Sequence, residues 1–220
     1  MEPNLADILE DIPHALVDGL TVESASGSAT LRHQHAGDLV ATSGAVVACD
    51  PKMIEEDTIW PFVTRVAPGQ YPVTLSIADF ADGDQRVAYA TLHINERHPV
   101  RWAVARFPQE AAVGMPEEEI PAYGVDTGTG CFMDADAAQV WAHRINTIAN
   151  YDMTITDEMD RNGTATCGWA THSLEPDTRA NLVVFSAGAG DGAYASYVGY
   201  DANDAIVCFV TDFALLWRDN

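Results

Sequence analysis

The chain has 220 residues, 47% of them hydrophobic, which fits one domain with its own core and excludes wholesale disorder. Its 33 acidic against 11 basic residues give a net charge of −22, a field that repels phosphate backbones and anionic lipid. Nucleic-acid and membrane binding are therefore disfavoured, and two sources of the charge remain: a high-salt or high-GC habitat, which the lone lysine (Lys52) favours, or a basic protein partner steered by the field.

Met1–Leu16 carries no basic head and no apolar run, so no secretory signal is read, and no apolar stretch approaches the ~20 residues that cross a bilayer. Four scattered cysteines without a CxxC fit free thiols in a cytoplasmic protein. The pattern LADILEDI predicts a short N-terminal helix that breaks at Pro13. Residues 1–26 are taken as a helical extension, and 27–220 as one α+β domain.

From Ser28 to Phe107 the chain reads as β. Tyr71, Val73, Leu75 and Ile77 alternate with Pro72, Thr74, Ser76 and Ala78, the period of a half-buried strand. RVAYATLHI (86–94) repeats it, and Asp82-Gly83-Asp84 between them predicts a hairpin. RWAVARF (101–107) adds a strand, and the stretch from Pro108 to Pro121, with Glu117, Glu118 and Glu119, reads as a solvated connector. His33 and His35 share a strand face but have no third ligand in view.

The loop GVDTGTGCFMD (124–134) follows. Its Asp-Thr-Gly imitates an aspartic protease loop, but no second copy exists to share a proton. Asp134 predicts the N-cap of the main helix, about 134–149, whose Ala137, Val140, Trp141, Ile145 and Ile148 form one apolar stripe. Asp126, eight residues earlier, is expected to share a pocket with it. Residues 151–180 give no clear elements. EMDRNG (158–163) starts with the wrong acid and places Trp169 where a calcium loop needs glutamate, and ATCGWATH (165–172) lacks the partners of a thiol protease.

The last stretch, 181–213, predicts three strands and two turns. SAGAGDGAY (186–194) sets three glycines around Asp191; a strand follows instead of a helix and no lysine is present, which argues against a nucleotide loop. The plain alternative is a tight turn between neighbouring strands. In AIVCFVTDF, Asp212 ends a strand that is apolar on both faces, so its carboxylate needs water, a donor or a cation.

Taken in order, SGAVVACDP (43–51), VAPGQYPV (66–73), RVAYATLHI, RWAVA (101–105), VDTGTGCFMD (125–134), SAGAGDGAYASYVGYD and VTDF resemble a mostly bacterial family catalogued as domain of unknown function 4241. The resemblance covers about residues 43–213. It implies one domain of an established type and supplies no catalytic roles. Its motifs fall on Asp50, Asp126, Asp134, Asp191, Tyr194 and Asp212.

The expected fold is a strand-rich α+β domain with mostly antiparallel sheets. The expected site is an Asp/Gly-loop cleft for a small ligand or divalent cation, built from Asp50, Asp126, Asp134, Gly190, Asp191, Gly192, Tyr194 and Asp212. Asp126, Asp134, Asp191 and Asp212 would ligate calcium or magnesium, which prefer oxygen donors; metal-assisted hydrolysis is the reaction such a cluster would suit. The alternative is a non-enzymatic, immunity- or antitoxin-like protein that covers a basic partner. Under a third reading the acidity reflects habitat and the loops are only turns.

Overall fold

A computed structural model describes residues 5–108, 120–164, 166–174 and 180–217; most of the acidic connector lies outside these. The described strands form two antiparallel sheets. The large sheet contains β1 (Thr21–Ser24), β2 (Gly27–Ala41), β4 (Gly69–Phe80), β5 (Gln85–His93), β12 (Ile206–Asp212), β11 (Gly192–Tyr200) and β6 (Arg101–Val104) in that spatial order, with β7 (Ala122–Val125) also paired to β11. The small sheet runs β3 (Val46–Cys49), β8 (Thr129–Asp134), β10 (Asn181–Ser186), β9 (Trp169–Ser173). The helices are α1 (Leu5–Asp11), a 3-10 turn at Ile12–Leu16, the main helix α2 (Ala135–Thr147) and α3 (Met153–Met159). The fold is strand-rich α+β.

Burial on both faces of each sheet explains the layers. Leu75, Ile77, Leu92 and Phe209 of the large sheet meet Phe132, Val183 and Phe185 of the small one in a shared core. The other face of the small sheet, with Cys131, Met133, Leu182 and Val184, lies under Trp141 of α2 and Ile155 of α3. The outer face of the large sheet, with Leu31, Ala78, Tyr89 and Val210, is covered by Ile8 and Ile12 from the N-terminus and by Leu216. Sheets packed on both sides lose the clean apolar/polar alternation of a half-exposed strand. β4 shows this: Leu75 and Ile77 point to the shared core, yet Ser76 is fully buried as well, its hydroxyl donating to the Ala15 carbonyl oxygen at 2.8 Å.

The predicted β4–β5 hairpin is present. The boundary expected after residue 26 falls in the β1–β2 turn, where Ser24 pairs with Gly27. Residues 5–26 are thus built into the sheet and its cover, because the apolar side of α1 needs that outer face to bury Ile8. The segment between residues 151 and 180 supplies α3 and β9, which period-based reading could not place because they are only seven and five residues long.

The two sheets are tied where β2 bends. Its register shifts between His35 and Gly37, and Gly37 sits at φ +140° with no room for a Cβ, which would lie 1.8 Å from Thr171 Oγ1. Thr171 donates to the Ala36 carbonyl oxygen, while Asn181 accepts from the Val40 N–H and donates to the Asp38 carbonyl oxygen. No helix among the described residues is long and apolar enough to cross a membrane.

Candidate functional site

The three predicted C-terminal strands exist, but the glycine-rich loop between β10 and β11 is not a turn between neighbours. β10 belongs to the small sheet and β11 to the large one, so residues 187–191 carry the chain between layers. That crossing explains the glycines. Gly188 lies at φ +46°, and a Cβ there would sit 2.7 Å from Phe213 Cβ. The Ala187 N–H donates to the Gly128 carbonyl oxygen, and a Cβ on Gly128 would lie 3.7 Å from Gly190 Cα. The two glycine loops, from distant stretches of sequence, therefore meet.

Asp50 props this junction. It is buried after β3, and its carboxylate accepts from the Asp126 and Thr127 N–H groups, the Thr127 hydroxyl and the Lys52 N–H, all at 2.9–3.0 Å. An anionic acceptor of several N–H groups is a strong local organiser. Its oxygens are occupied by the turn they hold. Tyr194 is also buried; its hydroxyl donates to the Gly190 carbonyl oxygen at 2.8 Å and its ring packs edge-on against Phe213. Asp126 and Asp191 are exposed. Gly192 pairs with Val125 at the end of the ladder, and these two aspartates are the next residue of each loop beyond that rung.

Asp134 and Asp212 lie elsewhere. Asp134 is fully buried at the far end of β8, about 17 Å along the strand from Thr129 at 3.4 Å per residue. Its oxygens accept from the Ser43 N–H and hydroxyl, the Gly44 N–H and the Asp136 N–H, with the Thr42 hydroxyl 3.0 Å away. The pocket expected to join Asp126 with Asp134 therefore does not form. Asp212 is buried on the outer face of the large sheet, accepting from the Ala214 N–H at 2.8 Å and the Trp217 indole N–H at 3.1 Å. Burial there pushes its carboxyl up to about 6, against the pull of those two donors. Among the described residues no group of three or more His, Cys, Asp or Glu side chains is arranged to hold a metal ion. The four aspartates read as one ligand set are thus divided between two exposed loop positions and two buried structural ones.

What opens beside the glycine loops is a cleft of about 260 Å³, and its chemistry is not acidic. Lys52 reaches it from the segment after β3 and Arg86 from β5; Thr127, Thr156 and Ser186 add hydroxyls, and Asp160 is the one acid among the described residues that lines it. The Lys52 ammonium donates to Thr156 Oγ1 at 2.7 Å, leaving two of its three donors. The Arg86 guanidinium is tied through Nε to Asp84 at 2.8 Å, which fixes its plane.

The family model described as "Protein of unknown function (DUF4241)" matches residues 39–211. The chain belongs to this family. No curated protein and no solved structure matches it. In this DUF4241 protein the match spans both glycine loops, Asp50, Lys52 and Arg86.

Lys52 and Arg86 escaped the sequence reading. The glycine loop itself contains no lysine, and the fold brings the chain's only lysine to it from more than 130 residues earlier. Its uniqueness was the available signal. In the discounted Cys167/His172 pair, burial pushes the Cys167 thiol up to about 11, and His172 Nδ1 faces Glu158 at 3.0 Å.

Proposed function

We propose that this protein binds a small anionic ligand, one bearing a phosphate or carboxylate, in the cleft between the two glycine loops. The observation that carries this is the concentration of Lys52 and Arg86 in one small hollow of a chain with only 11 basic residues and a net charge of −22. Cations placed against the overall field need a local reason, and a fixed ammonium and guanidinium among hydroxyls suit an oxyanion. The field does not forbid this. At physiological salt the screening length is about 8 Å, so an anion inside the cleft responds mainly to the charges lining it. The volume, below the ~300–1,000 Å³ of sites for drug-sized molecules, suits a ligand of a few heavy atoms or the charged end of a larger one. The divalent-cation version of the site has less support, because two of its four aspartates, Asp134 and Asp212, already spend their oxygens on amides, a hydroxyl and an indole N–H. The host is taken to be a bacterial cytoplasm, in keeping with four unpaired cysteines.

Calorimetry with inorganic phosphate and with citrate tests the reading, alongside calcium, magnesium and manganese. Binding of either anion, weakened at least tenfold in Lys52→Gln at unchanged melting temperature, is expected. No heat with either anion, or equal binding by the variant, overturns it; heat with a divalent ion alone would restore the cation version.

The net charge also favours a second reading, an interaction protein that covers a basic partner. Its mark is association from a host lysate that weakens steeply with salt. Capture insensitive to salt counts against it.

A further inference from the structure

The small sheet holds two of the four cysteines side by side. Cys49, the last residue of β3, pairs directly with Cys131 of β8, and their sulfurs lie 3.6 Å apart. Both are free thiols. The Ala135 N–H donates to the Ala45 carbonyl oxygen, so alternation along the ladder puts Cys49 and Cys131 in a hydrogen-bonded pair, with Cα atoms about 5.5 Å apart. A disulfide spans about 4.4–6.8 Å between Cα atoms, so the two can be bridged where they stand.

Their exposures differ in a useful way. Cys131 is fully buried, with Sγ also 3.4 Å from the Cys49 carbonyl oxygen. Cys49 is only partly buried and lines a cavity of about 240 Å³ whose rim carries Met53 and Trp60, 54% and 44% exposed. A small reagent meets one thiol and finds the second directly behind it.

We propose that Cys49 is an oxidation site for hydroperoxides and that Cys131 resolves it as an intrachain disulfide. The Cys49 sulfur attacks one peroxide oxygen and the O–O bond breaks, giving Cys49 sulfenic acid and, from hydrogen peroxide, one water. The Cys131 sulfur then attacks the Cys49 sulfur, the S–O bond breaks, and the hydroxide leaves with the Cys131 proton as a second water. Two thiols lose two electrons and the peroxide gains them. A dithiol reductant reverses the bond by exchange. Burial holds the Cys131 thiol well above its ordinary range, so the resolving attack is slow for a thiol and depends on the 3.6 Å proximity of the two sulfurs. The bond would pin the end of β3 to β8 immediately before Asp50, the residue that organises the Asp126–Thr127 turn. The chemistry needs only the two sulfurs and does not rest on the anion cleft.

The test treats reduced protein with one equivalent of hydrogen peroxide. Thiols titrated after unfolding should fall from four to two, the intact mass should drop by about 2 Da, and a digest should yield one peptide pair joined through Cys49 and Cys131. Dithiothreitol should restore all four thiols. Cys167 and Cys208 serve as internal controls, since burial pushes their thiols up to about 11 and about 12. In Cys131→Ser the Cys49 sulfenic acid should persist and take up dimedone. Four surviving thiols, Cys49 sulfinic acid without a link, or a link between two chains would overturn the proposal. The wild-type peptide map decides this even if a cysteine variant fails to fold.

Discussion

At one end of β8, Asp134 is fully buried with amides and hydroxyls from the Thr42–Gly44 turn and the start of α2 on its oxygens. At the other end, Asp126 and Asp191 stand exposed on two glycine loops, and neither carboxylate is hydrogen-bonded to any described residue. The residue type and the glycine-rich surroundings are alike. The difference lies in whether local backbone donors saturate the oxygens. Where they do, the carboxylate builds the fold; where they do not, it is left for solvent or a ligand. Asp50 combines both situations, since it spends its own oxygens to hold the loop that bears Asp126.

The comparison is sharpest at Asp134. Asp134→Ala removes the N-cap of α2 and leaves the buried Gly44 N–H without its acceptor, so a loss of about 2–4 kcal/mol is expected in urea unfolding. A loss below about 1 kcal/mol would place Asp134 with the loop aspartates. Next comes the loop itself. Gly188→Ala forces a Cβ to 2.7 Å from Phe213 Cβ at a positive φ, and should lose about 2–3 kcal/mol. Gly190→Ala, with open space at φ +118°, should lose about 1 kcal/mol, from backbone strain alone.

Asp212 adds a pH-dependent case. Its carboxyl is raised to about 6, above the ~3.9 of an unfolded chain. The native state therefore keeps a proton that the unfolded state releases between about pH 4 and pH 6. This contribution to stability is complete below pH ~4 and is lost as pH rises through about 6. Asp212→Asn removes the buried charge and keeps an acceptor for the Ala214 N–H, but turns an NH2 group toward the Trp217 indole N–H, which offsets part of the gain. It should be about 1–2 kcal/mol more stable than wild type at pH 8, out of a limit of roughly 3 kcal/mol for two pH units, and should show no gain near pH 4. A gain that does not vary with pH would assign the effect to packing. The smallest effect belongs to Asp126→Asn and Asp191→Asn, each within about 0.5 kcal/mol of wild type. A large loss there would mean the loop carboxylates are structural after all.

Much of the fold was legible along the chain. β4 and β5 announced themselves by period two, the Asp82–Asp84 turn by composition, and α2 by Asp134 and its apolar stripe, although Ile148 falls past the helix end and is 48% exposed. The candidate site was legible only in part. Gly190, Gly192, Tyr194, Asp126 and Asp50 do gather, because ladder pairing brings β7 against β11. Asp134 was misplaced because its sequence distance from Asp126 gives no hint that a straight strand separates them. The position of Asp212 at the end of a two-sided apolar strand calls for a donor, and the donors are Ala214 and the Trp217 indole, from a segment that folds back over the sheet.

By itself the sequence determined the strand-rich α+β class, the main elements and the family, since local periodicity, turn residues and ordered motifs are properties of short stretches. Only the tertiary structure decided which glycine loops meet, that Lys52 and Arg86 share their cleft, and that two cysteines 82 positions apart in sequence stand sulfur to sulfur. Those facts depend on which strands pair and which sheet each one joins. Pairing is set by the burial of whole faces against one another, a long-range condition that no single segment records.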